Sequence, residues 1–256
     1  MKISVVTINF NNVEGLKKTI DSVLNQTYKD IEYVIIDGGS NDTSKTAIEQ
    51  HAANLSFWVS EKDKGIYNAQ NKGILNATGT YCLFLNSGDA LAGPAVLKQA
   101  IAAGENTDIV YGDLITIDRE GLKTHLSSPD VADATHFMVS TLWHPTAFIK
   151  RELFNTLGLY NESFKITGDY EFFIRSILKH HVSTKHINLP VSIFDMSGVS
   201  NAENMQALQD TERRQSWALN FSEAAIKKIE AHTRFIRSRK YTLVKLIKKI
   251  FKPFSK

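Results

Sequence analysis

Four short apolar runs alternate with amphipathic segments over residues 1–90, and this rhythm constrains the fold more than any other feature of the sequence. The runs begin at Ile3, Ile31, Leu55 and Tyr81. Between them, apolar residues recur at helical spacing, as they do from Val13 to Leu24. Strands that alternate with helices in this way predict a mainly parallel, doubly wound α/β sheet. In such sheets, ligands bind at the carboxyl ends of the strands.

Length and composition limit the class of protein. The 256 residues, 43% hydrophobic and 22% charged, suit one α/β domain or one domain with an appendage. The single cysteine, Cys82, excludes an intrachain disulfide and favours a cytoplasmic location, although a buried hydrophobic role explains it most simply. The sequence shows neither a signal peptide nor an apolar stretch long enough to cross a bilayer, so we expect a soluble or membrane-associated protein.

The predicted strand ends carry the polar residues that a ligand needs. They are Thr7 to Asn11, Asp37 to Asp42, Glu61 to Gly65, and Asn86 to Asp89. Glycines next to Asp37 allow close backbone approach, and its carboxylate can accept hydrogen bonds from a base or a ribose hydroxyl. Asp42 suits a helix cap and a ligand contact equally well.

Asp89 follows the most apolar strand, where an unpaired carboxylate is costly. A divalent cation is one suitable partner, because Mg²⁺ typically binds one or two protein carboxylates together with phosphate oxygens. Such an ion would neutralise a diphosphate leaving group. The alternative is a structural role, in which the side chain of Asp89 closes the turn after the strand.

The second half of the sequence is less regular. It predicts short antiparallel strands, a helix from Arg151 and a strong helix that Asp169 opens. The predicted strands are Ile109 to Tyr111, Leu114 to Ile117, Leu122 to Leu126, and Thr146 to Ile149.

Taken together, the motifs resemble those of family 2 glycosyltransferases. The agreement follows chain order over about 200 residues and is carried by Ile3 to Asn11, Asp21 to Tyr28, Glu32 to Thr43, Glu61 to Gly73, Leu85 to Asp89, His144 to Phe148, Gly158 to Glu162, Thr167 to Arg175, and Ser197 to Ser200.

The resemblance implies a GT-A-type nucleotide-binding fold with a mainly parallel central sheet and a smaller acceptor-side region. We expect a glycosyltransferase domain at 1–200, with a nucleotide-sugar half at 1–105 and an acceptor half at 106–200. A C-terminal helical extension with a basic amphipathic tail is expected at 201–256. The predicted donor-binding residues are Thr7, Asn9, Asp37, Gly38, Asp63, Lys72, Asn86 and Ser87.

The resemblance also implies an acidic metal-binding motif, for Mg²⁺ or Mn²⁺, after the fourth strand. This sequence departs from the common form, which has aspartates where Asn86 and Gly88 stand. Asp89 is therefore the predicted metal ligand, and a further ligand could come from elsewhere.

Asp169 matches the family's catalytic base by position. Inversion by single displacement requires one carboxylate to accept the proton of the acceptor hydroxyl. Asp169 could also cap its helix, and the two roles are compatible. Arg175 is expected to brace the core rather than bind phosphate. His144 suits a structural role or one on the acceptor side.

The C-terminal residues 226–256 are strongly basic. They carry eleven Lys/Arg and one acid, a formal charge of +10 against −7 for the rest of the chain. Interleaved apolar residues, from Ile229 to Phe254, predict an amphipathic helix that lies on an anionic membrane surface. The alternatives are a solvated helix packed on the body and a dimer contact. No nucleic-acid recognition module accompanies the charge.

The sequence therefore predicts an inverting glycosyltransferase of the hexosyltransferase type, located at the inner face of a membrane and active in cell-surface polysaccharide synthesis. By resemblance, the donor is UDP-linked and the acceptor is a glycan or a lipid-linked sugar. One alternative is a sugar nucleotidyltransferase, against which the stretch Asn9 to Asn12 argues because it lacks a loop rich in glycine and arginine. The other is a non-catalytic binding scaffold.

Overall fold

The computed structural model describes residues 1–104, 106–118, 120–196 and 205–250, and side chains at 195 and 239–250 lie outside this description. The described strands form one sheet and are β1 (Ile3–Asn9), β2 (Ile31–Asp37), β3 (Phe57–Ser60), β4 (Tyr81–Phe84), β5 (Ala90–Leu91), β6 (Ile109–Ile117), β7 (Lys123–Leu126), β8 (Ala147–Lys150) and β9 (Thr184–Asp195). The helices are α1 (Val13–Leu24), α2 (Ser44–Gln50), α3 (Ile66–Asn76), α4 (Val96–Ala103), α5 (Ala134–Phe137), α6 (Glu152–Leu157), α7 (Gly168–Phe173), α8 (Gln206–Asn220) and α9 (Glu223–Ile250). A π-helix, Ile174–Lys179, continues α7, and 3₁₀ turns cover Ala52–Asn54 and His144–Thr146.

The sheet order is β3-β2-β1-β4-β8-β6-β9-β5, with β7 paired to β6. Strands β1 to β4 are mutually parallel, which confirms the fold predicted for the first half of the chain. Strand β8 pairs antiparallel with both β4 and β6 and so joins the two halves in one continuous sheet. The predicted division of the domain near residue 105 stays a prediction.

Successive strand residues point to opposite faces, so the sheet separates two hydrophobic cores. Val6 and Val34 lie in one core with α3 and the aromatic side chains of α7, whereas Val5 and Ile35 lie in the other with α1 and α4. This division follows from the two-residue period of a strand. Burial on both faces fixes the positions of β1, β2 and β4, and therefore of the polar residues at their carboxyl ends.

Two features of the second half differ from the sequence prediction. The two strands predicted at 109–111 and 114–117 form one strand, β6, whose register against β9 shifts on either side of Asp113. The sequence analysis did not predict β9, which pairs parallel with β6. Its apolar residues alternate from Ile187 to Ile193, but Pro190 lacks a backbone N–H and argues against a strand in the middle of a sheet.

Within its described residues, 205–250, the C-terminal extension is helical as predicted. Ile226 and Ile229, in the first turns of α9, pack against the core, and Thr233 is buried. Within the described part of the chain, no helix combines the length and the apolar character that crossing a membrane requires. The tail side chains from 239 onward and the motif Ser197 to Ser200 lie outside the described residues.

Candidate active site

Asp37 ends β2 with a completely buried carboxylate that has four hydrogen-bond donors. Its Oδ1 accepts from Asn9 Nδ2 at 2.7 Å and Ser40 Oγ at 2.5 Å, and its Oδ2 accepts from Ser60 Oγ at 2.6 Å and Ser40 N at 3.0 Å. Burial raises the pKa of Asp37, but these hydrogen bonds outweigh it and hold the pKa below its usual range. The carboxylate thus connects the carboxyl ends of β1, β2 and β3. Its direct contact with a nucleotide-sugar donor stays a prediction.

This arrangement predicts that Asp37→Asn destabilises the protein by about 1–3 kcal/mol, because an amide leaves buried donors unpaired. A carboxylate with a lowered folded pKa contributes stability above its unfolded pKa, and this stability is lost as pH falls through the folded pKa. The difference in unfolding free energy between wild type and variant should therefore shrink below about pH 4. Urea unfolding from pH 3 to pH 7 measures it, and a difference that does not change with pH would contradict the assignment.

Asp63 lies directly against Gly38. A Cβ at position 38 would come within 2.5 Å of Asp63 Oδ2, so a larger residue there would displace the Asp63 side chain. The other carboxylate oxygen, Oδ1, accepts from Gly65 N at 2.9 Å. The ring of Phe10 is 65% exposed beside the same glycine. An acidic and an aromatic side chain therefore flank the end of β2 on its open side.

The other predicted donor residues lie at the same sheet edge but bind neighbouring protein groups. Thr7 is buried with its hydroxyl 3.1 Å from Tyr33 Oη, Lys72 pairs with Glu61 at 2.7 Å, and Ser87 Oγ donates to the carbonyl of Ile8. Asn9 Oδ1 is buried and has no hydrogen-bond partner within the described residues, so β1 ends in a free acceptor.

Asp89 closes the turn after β4, which is the structural alternative that the sequence left open. Its Oδ2 accepts from the backbone N–H of Asn86 at 3.1 Å, and its own N–H donates to the Asn86 carbonyl at 2.9 Å. Gly88 provides the positive φ of 109° that the turn requires. The Asp89 side chain is only 4% exposed. Its role as a metal ligand stays a prediction.

His144 connects this turn to the predicted base. Its Nδ1 lies 3.4 Å from Asp169 Oδ2, and its Nε2 lies 3.9 Å from Asp89 Oδ2 and 3.2 Å from the side-chain amide of Asn86. Burial lowers the pKa of His144, but the hydrogen bond and charge of Asp169 and the charge of Asp89 together raise it above its usual value. The two carboxylates therefore shift His144 towards its protonated form.

Asp169 lies in the first turn of α7, one residue after the start of the helix, so it is not the N-cap. Its Oδ1 accepts from Tyr67 Oη at 3.1 Å and from Tyr170 N at 2.9 Å. Burial, followed by the charge of Asp169, raises the pKa of Tyr67 well above its usual value, so this hydroxyl remains a donor. Asp169 is thus held through one oxygen while the other faces His144.

Glu212 of α8 fixes the backbone just before Asp169. Its buried carboxylate accepts from Lys165 N at 2.7 Å, Ile166 N at 3.1 Å, and both the backbone N–H and the hydroxyl of Thr167 at 3.0 Å. Four donors converge on one side chain that lies 45 residues or more further along the chain. Glu212 lies outside the motifs that carry the family resemblance, so the sequence does not single it out.

A cavity of about 280 Å³ adjoins these groups. Asp169, His144, Asn86, Tyr67 and Gln70 form its polar wall, whereas Asp37 and Asp89 are not among its lining residues. Other lining residues, which the sequence analysis did not single out, include Trp143, Phe194, Gln209 and Arg213. The cavity is therefore formed on one side by the ends of the parallel strands and on the other by α7, α8 and β9.

Two further residues have structural roles. Arg175 donates to the carbonyls of Leu157, Gly158 and Leu159 and pairs with Glu171, which confirms the predicted bracing role. Asp42, which precedes the N-cap residue Thr43, accepts from Ser44 N at 2.9 Å and from Val13 N at 3.2 Å, so its carboxylate connects the starts of α1 and α2. Neither residue is among those that line the cavity.

Solved structures share this fold. S. aureus TarS 1–349 in complex with UDP-GlcNAc matches with a TM-score of 0.64 at 18% identity over 76% of this chain and 58% of that one. The mannosyltransferase PcManGT from Pyrobaculum calidifontis, in complex with GDP-Man and Mn²⁺, matches with a TM-score of 0.67 at 17% identity over 91% of this chain and 69% of that one. This chain spans about three fifths of the TarS 1–349 chain. The fold is thus that of GT-A-type glycosyltransferases.

Sequence relatives identify the family. The model of glycosyl transferase family 2 matches residues 4–181. An uncharacterized glycosyltransferase of Mycobacterium tuberculosis is 32% identical over 83% of this chain and 82% of its own length. A PGL/p-HBAD biosynthesis glycosyltransferase of Mycobacterium bovis is 30% identical over 77% of this chain and 78% of its own length. The chain belongs to glycosyltransferase family 2 and is a sugar-transferring enzyme.

Proposed function

We propose that this enzyme is an inverting glycosyltransferase that moves one hexose from a UDP-linked donor to a hydroxyl of a glycan or lipid-linked acceptor in cell-surface polysaccharide synthesis. The observation that carries the proposal is the position of Asp169. Its carboxylate lines a cavity and is linked through His144 to the turn after β4, where the diphosphate of a donor at the strand ends would lie.

Asp169 acts as the general base. It accepts the proton of the acceptor hydroxyl while that oxygen bonds to the anomeric carbon and the bond from this carbon to the diphosphate breaks. Tyr67 and the backbone N–H of Tyr170 hold Asp169 Oδ1 and so orient the carboxylate towards the cavity. His144 positions the second oxygen and lies between the base and the turn after β4.

The donor is expected at the carboxyl ends of β1, β2 and β4. Asp63 beside Gly38 suits hydrogen bonding to a ribose or base, and the exposed ring of Phe10 suits stacking against the base. The same fold binds UDP-GlcNAc in TarS and GDP-Man in PcManGT, so the choice of a uridine nucleotide rests on the sequence resemblance.

A divalent cation, Mg²⁺ or Mn²⁺, fits the turn after β4, where one carboxylate would be its protein ligand. Asp89 and the amide oxygen of Asn86 are the hard oxygen donors present, and the described residues contain no group of three or more His, Cys, Asp or Glu side chains suited to a metal. Mg²⁺ needs only one or two protein carboxylates when phosphates complete its shell. When bound, the ion neutralises the diphosphate leaving group.

The proposed function predicts metal-stimulated release of UDP. A panel of UDP- and GDP-hexoses, incubated with the full chain and either Mn²⁺ or EDTA, should give a UDP-hexose whose turnover rises about tenfold or more with metal. In parallel, Asp89→Asn should weaken Mn²⁺ binding in the presence of UDP, measured by electron paramagnetic resonance. Asp21→Asn, on the exposed face of α1, is the matched control. Equal turnover in Mn²⁺ and EDTA would exclude the metal step.

The tail is proposed to hold the enzyme on an anionic membrane. Residues 239–256 carry seven Lys/Arg and no acid, and each cation near an anionic surface contributes about 1 kcal/mol. Because Thr233 is buried, the truncation that tests this is made after Ser238 rather than within the packed turns of α9. The full chain should sediment with vesicles containing phosphatidylglycerol but not with pure phosphatidylcholine, and the truncated chain with neither. Equal sedimentation of both chains would contradict the proposal.

A further inference from the structure

Arg213 of α8 is a cation in the cavity wall that the chemistry above does not use. It lines the same cavity as Asp169 and His144, together with Gln209 one turn earlier on the helix. Its guanidinium carbon lies 4.9 Å from the ring centroid of Tyr170, the residue that follows the base. Arg213 is therefore held close to the site of transfer.

The platform below Arg213 is rigid. Tyr170 Oη donates to the Phe137 carbonyl at 2.5 Å and accepts from Trp217 Nε1 at 2.9 Å, so two buried hydrogen bonds fix the hydroxyl end of the ring. A guanidinium stacked on such a ring loses little further freedom when it binds a ligand. The arrangement is preorganised for an anion that approaches through the cavity.

Arg213 has donors without acceptors. Its Nε is buried and makes no hydrogen bond within the described residues. No carboxylate of these residues lies within 4.0 Å of the guanidinium nitrogens, which is the distance that defines an ion pair. Asp210 and Glu230 line a neighbouring cavity that Arg213 also lines, but neither forms an ion pair with it across the described residues. Arg213 therefore brings to the cavity wall a positive charge that no carboxylate of the described residues pairs with, and such a charge suits an anionic ligand.

We propose that Arg213 binds an anionic group, a phosphate or a carboxylate, on the acceptor and thereby orients the acceptor hydroxyl towards Asp169. The inference rests on the proposed transferase function and narrows its acceptor to an anionic one. Guanidinium forms paired hydrogen bonds with both kinds of anion. Because Asp169 repels an anion, the charged end of the acceptor faces α8 and the hydroxyl end faces α7. Trp143 and Phe194 offer apolar faces for a sugar ring in the same cavity.

The test compares three ligands that differ in charge: methyl β-D-glucoside, methyl β-D-glucuronide and glucose 1-phosphate. Their dissociation constants for the full chain are measured by calorimetry with saturating UDP and Mn²⁺, so that the donor site is filled. One or both anionic ligands should bind about ten- to a hundredfold more tightly than the neutral glucoside. The dissociation constants of the glucuronide and of glucose 1-phosphate then show whether the site prefers a carboxylate or a phosphate.

Arg213→Met should remove this preference, whereas Arg214→Met, an exposed neighbour on the same helix, should retain it. Arg213→Gln is the second variant if the methionine variant does not fold, and the wild-type comparison needs no variant at all. Equal binding of the three ligands by wild type, or a preference that survives in the Arg213 variants, overturns the inference. After either result, the proposed function still holds if the wild type releases UDP and transfers sugar to neutral acceptors. If the wild type does not turn over any nucleotide-sugar donor, the proposed function itself is overturned.

Discussion

Asp169→Asn is expected to reduce sugar transfer by about 10²–10⁴-fold, because the amide cannot accept the proton of the acceptor hydroxyl. The variant should fold normally, since asparagine Oδ1 can still accept from Tyr67 and from the Tyr170 N–H. The loss should therefore fall on kcat for transfer while donor binding changes little. Radiolabelled sugar transfer and UDP binding by calorimetry measure the two quantities separately.

Two controls sharpen this prediction. Asp21→Asn makes the same chemical change on an exposed helix face and should leave transfer unchanged. Tyr67→Phe removes one hydrogen bond to the carboxylate but keeps the base, so it should reduce kcat by about tenfold or less. If Asp169→Asn retains wild-type transfer, another group removes the proton. If neither the wild type nor Asp169→Asn transfers sugar from any nucleotide-sugar donor, a non-catalytic scaffold explains the protein better than a transferase does.

The parallel half of the fold could be predicted because its information is local. Each strand from β1 to β4 is one apolar run, each helix has its own apolar face, and the connections are short. The rule that ligands bind at the carboxyl ends of parallel strands then located Asp37, Asp63 and Asp89 at one edge of the sheet. Local patterns thus predicted where the polar residues lie.

Local patterns could not predict which partners these residues have. Asp37 was predicted to bind a donor, yet its oxygens are occupied by Asn9, Ser40 and Ser60, of which the last lies 23 residues away. His144 and Asp169 were considered separately, because nothing in their spacing shows that they meet. A side-chain hydrogen bond depends on distances that only the assembled sheet and helices define.

The acceptor side was hardest to predict because its residues come from distant parts of the chain. Strand β9 contains a proline, and part of the cavity wall beside the base is provided by α8, which follows the last motif of the family resemblance. Glu212 and Arg213 are adjacent in sequence, but Glu212 accepts hydrogen bonds from the protein backbone whereas Arg213 lines the cavity. Helix α8 therefore links the stability of the fold to the geometry of the site.

Glu212→Ala is the prediction with the largest expected effect on stability. The change leaves the backbone N–H groups of Lys165, Ile166 and Thr167 and the Thr167 hydroxyl without their acceptor. Loss of these charge-assisted hydrogen bonds should reduce the unfolding free energy by about 3 kcal/mol and the Tm by roughly 10 °C. Calorimetric melting curves measure both. Glu223→Ala, which removes an exposed carboxylate paired with Lys227, should change the Tm little.

The same variant also tests how the base is positioned. Because Glu212 fixes the residues just before Asp169, its loss should reduce kcat for transfer even well below the Tm, where the protein is folded. Glu212→Gln keeps one side-chain oxygen as an acceptor and should fall between wild type and Glu212→Ala in both Tm and kcat. A glutamine variant as unstable as the alanine variant would indicate that the charge, rather than the hydrogen-bond geometry, holds the segment. An alanine variant with wild-type kcat at low temperature would show that α8 stabilises the fold without setting the position of Asp169.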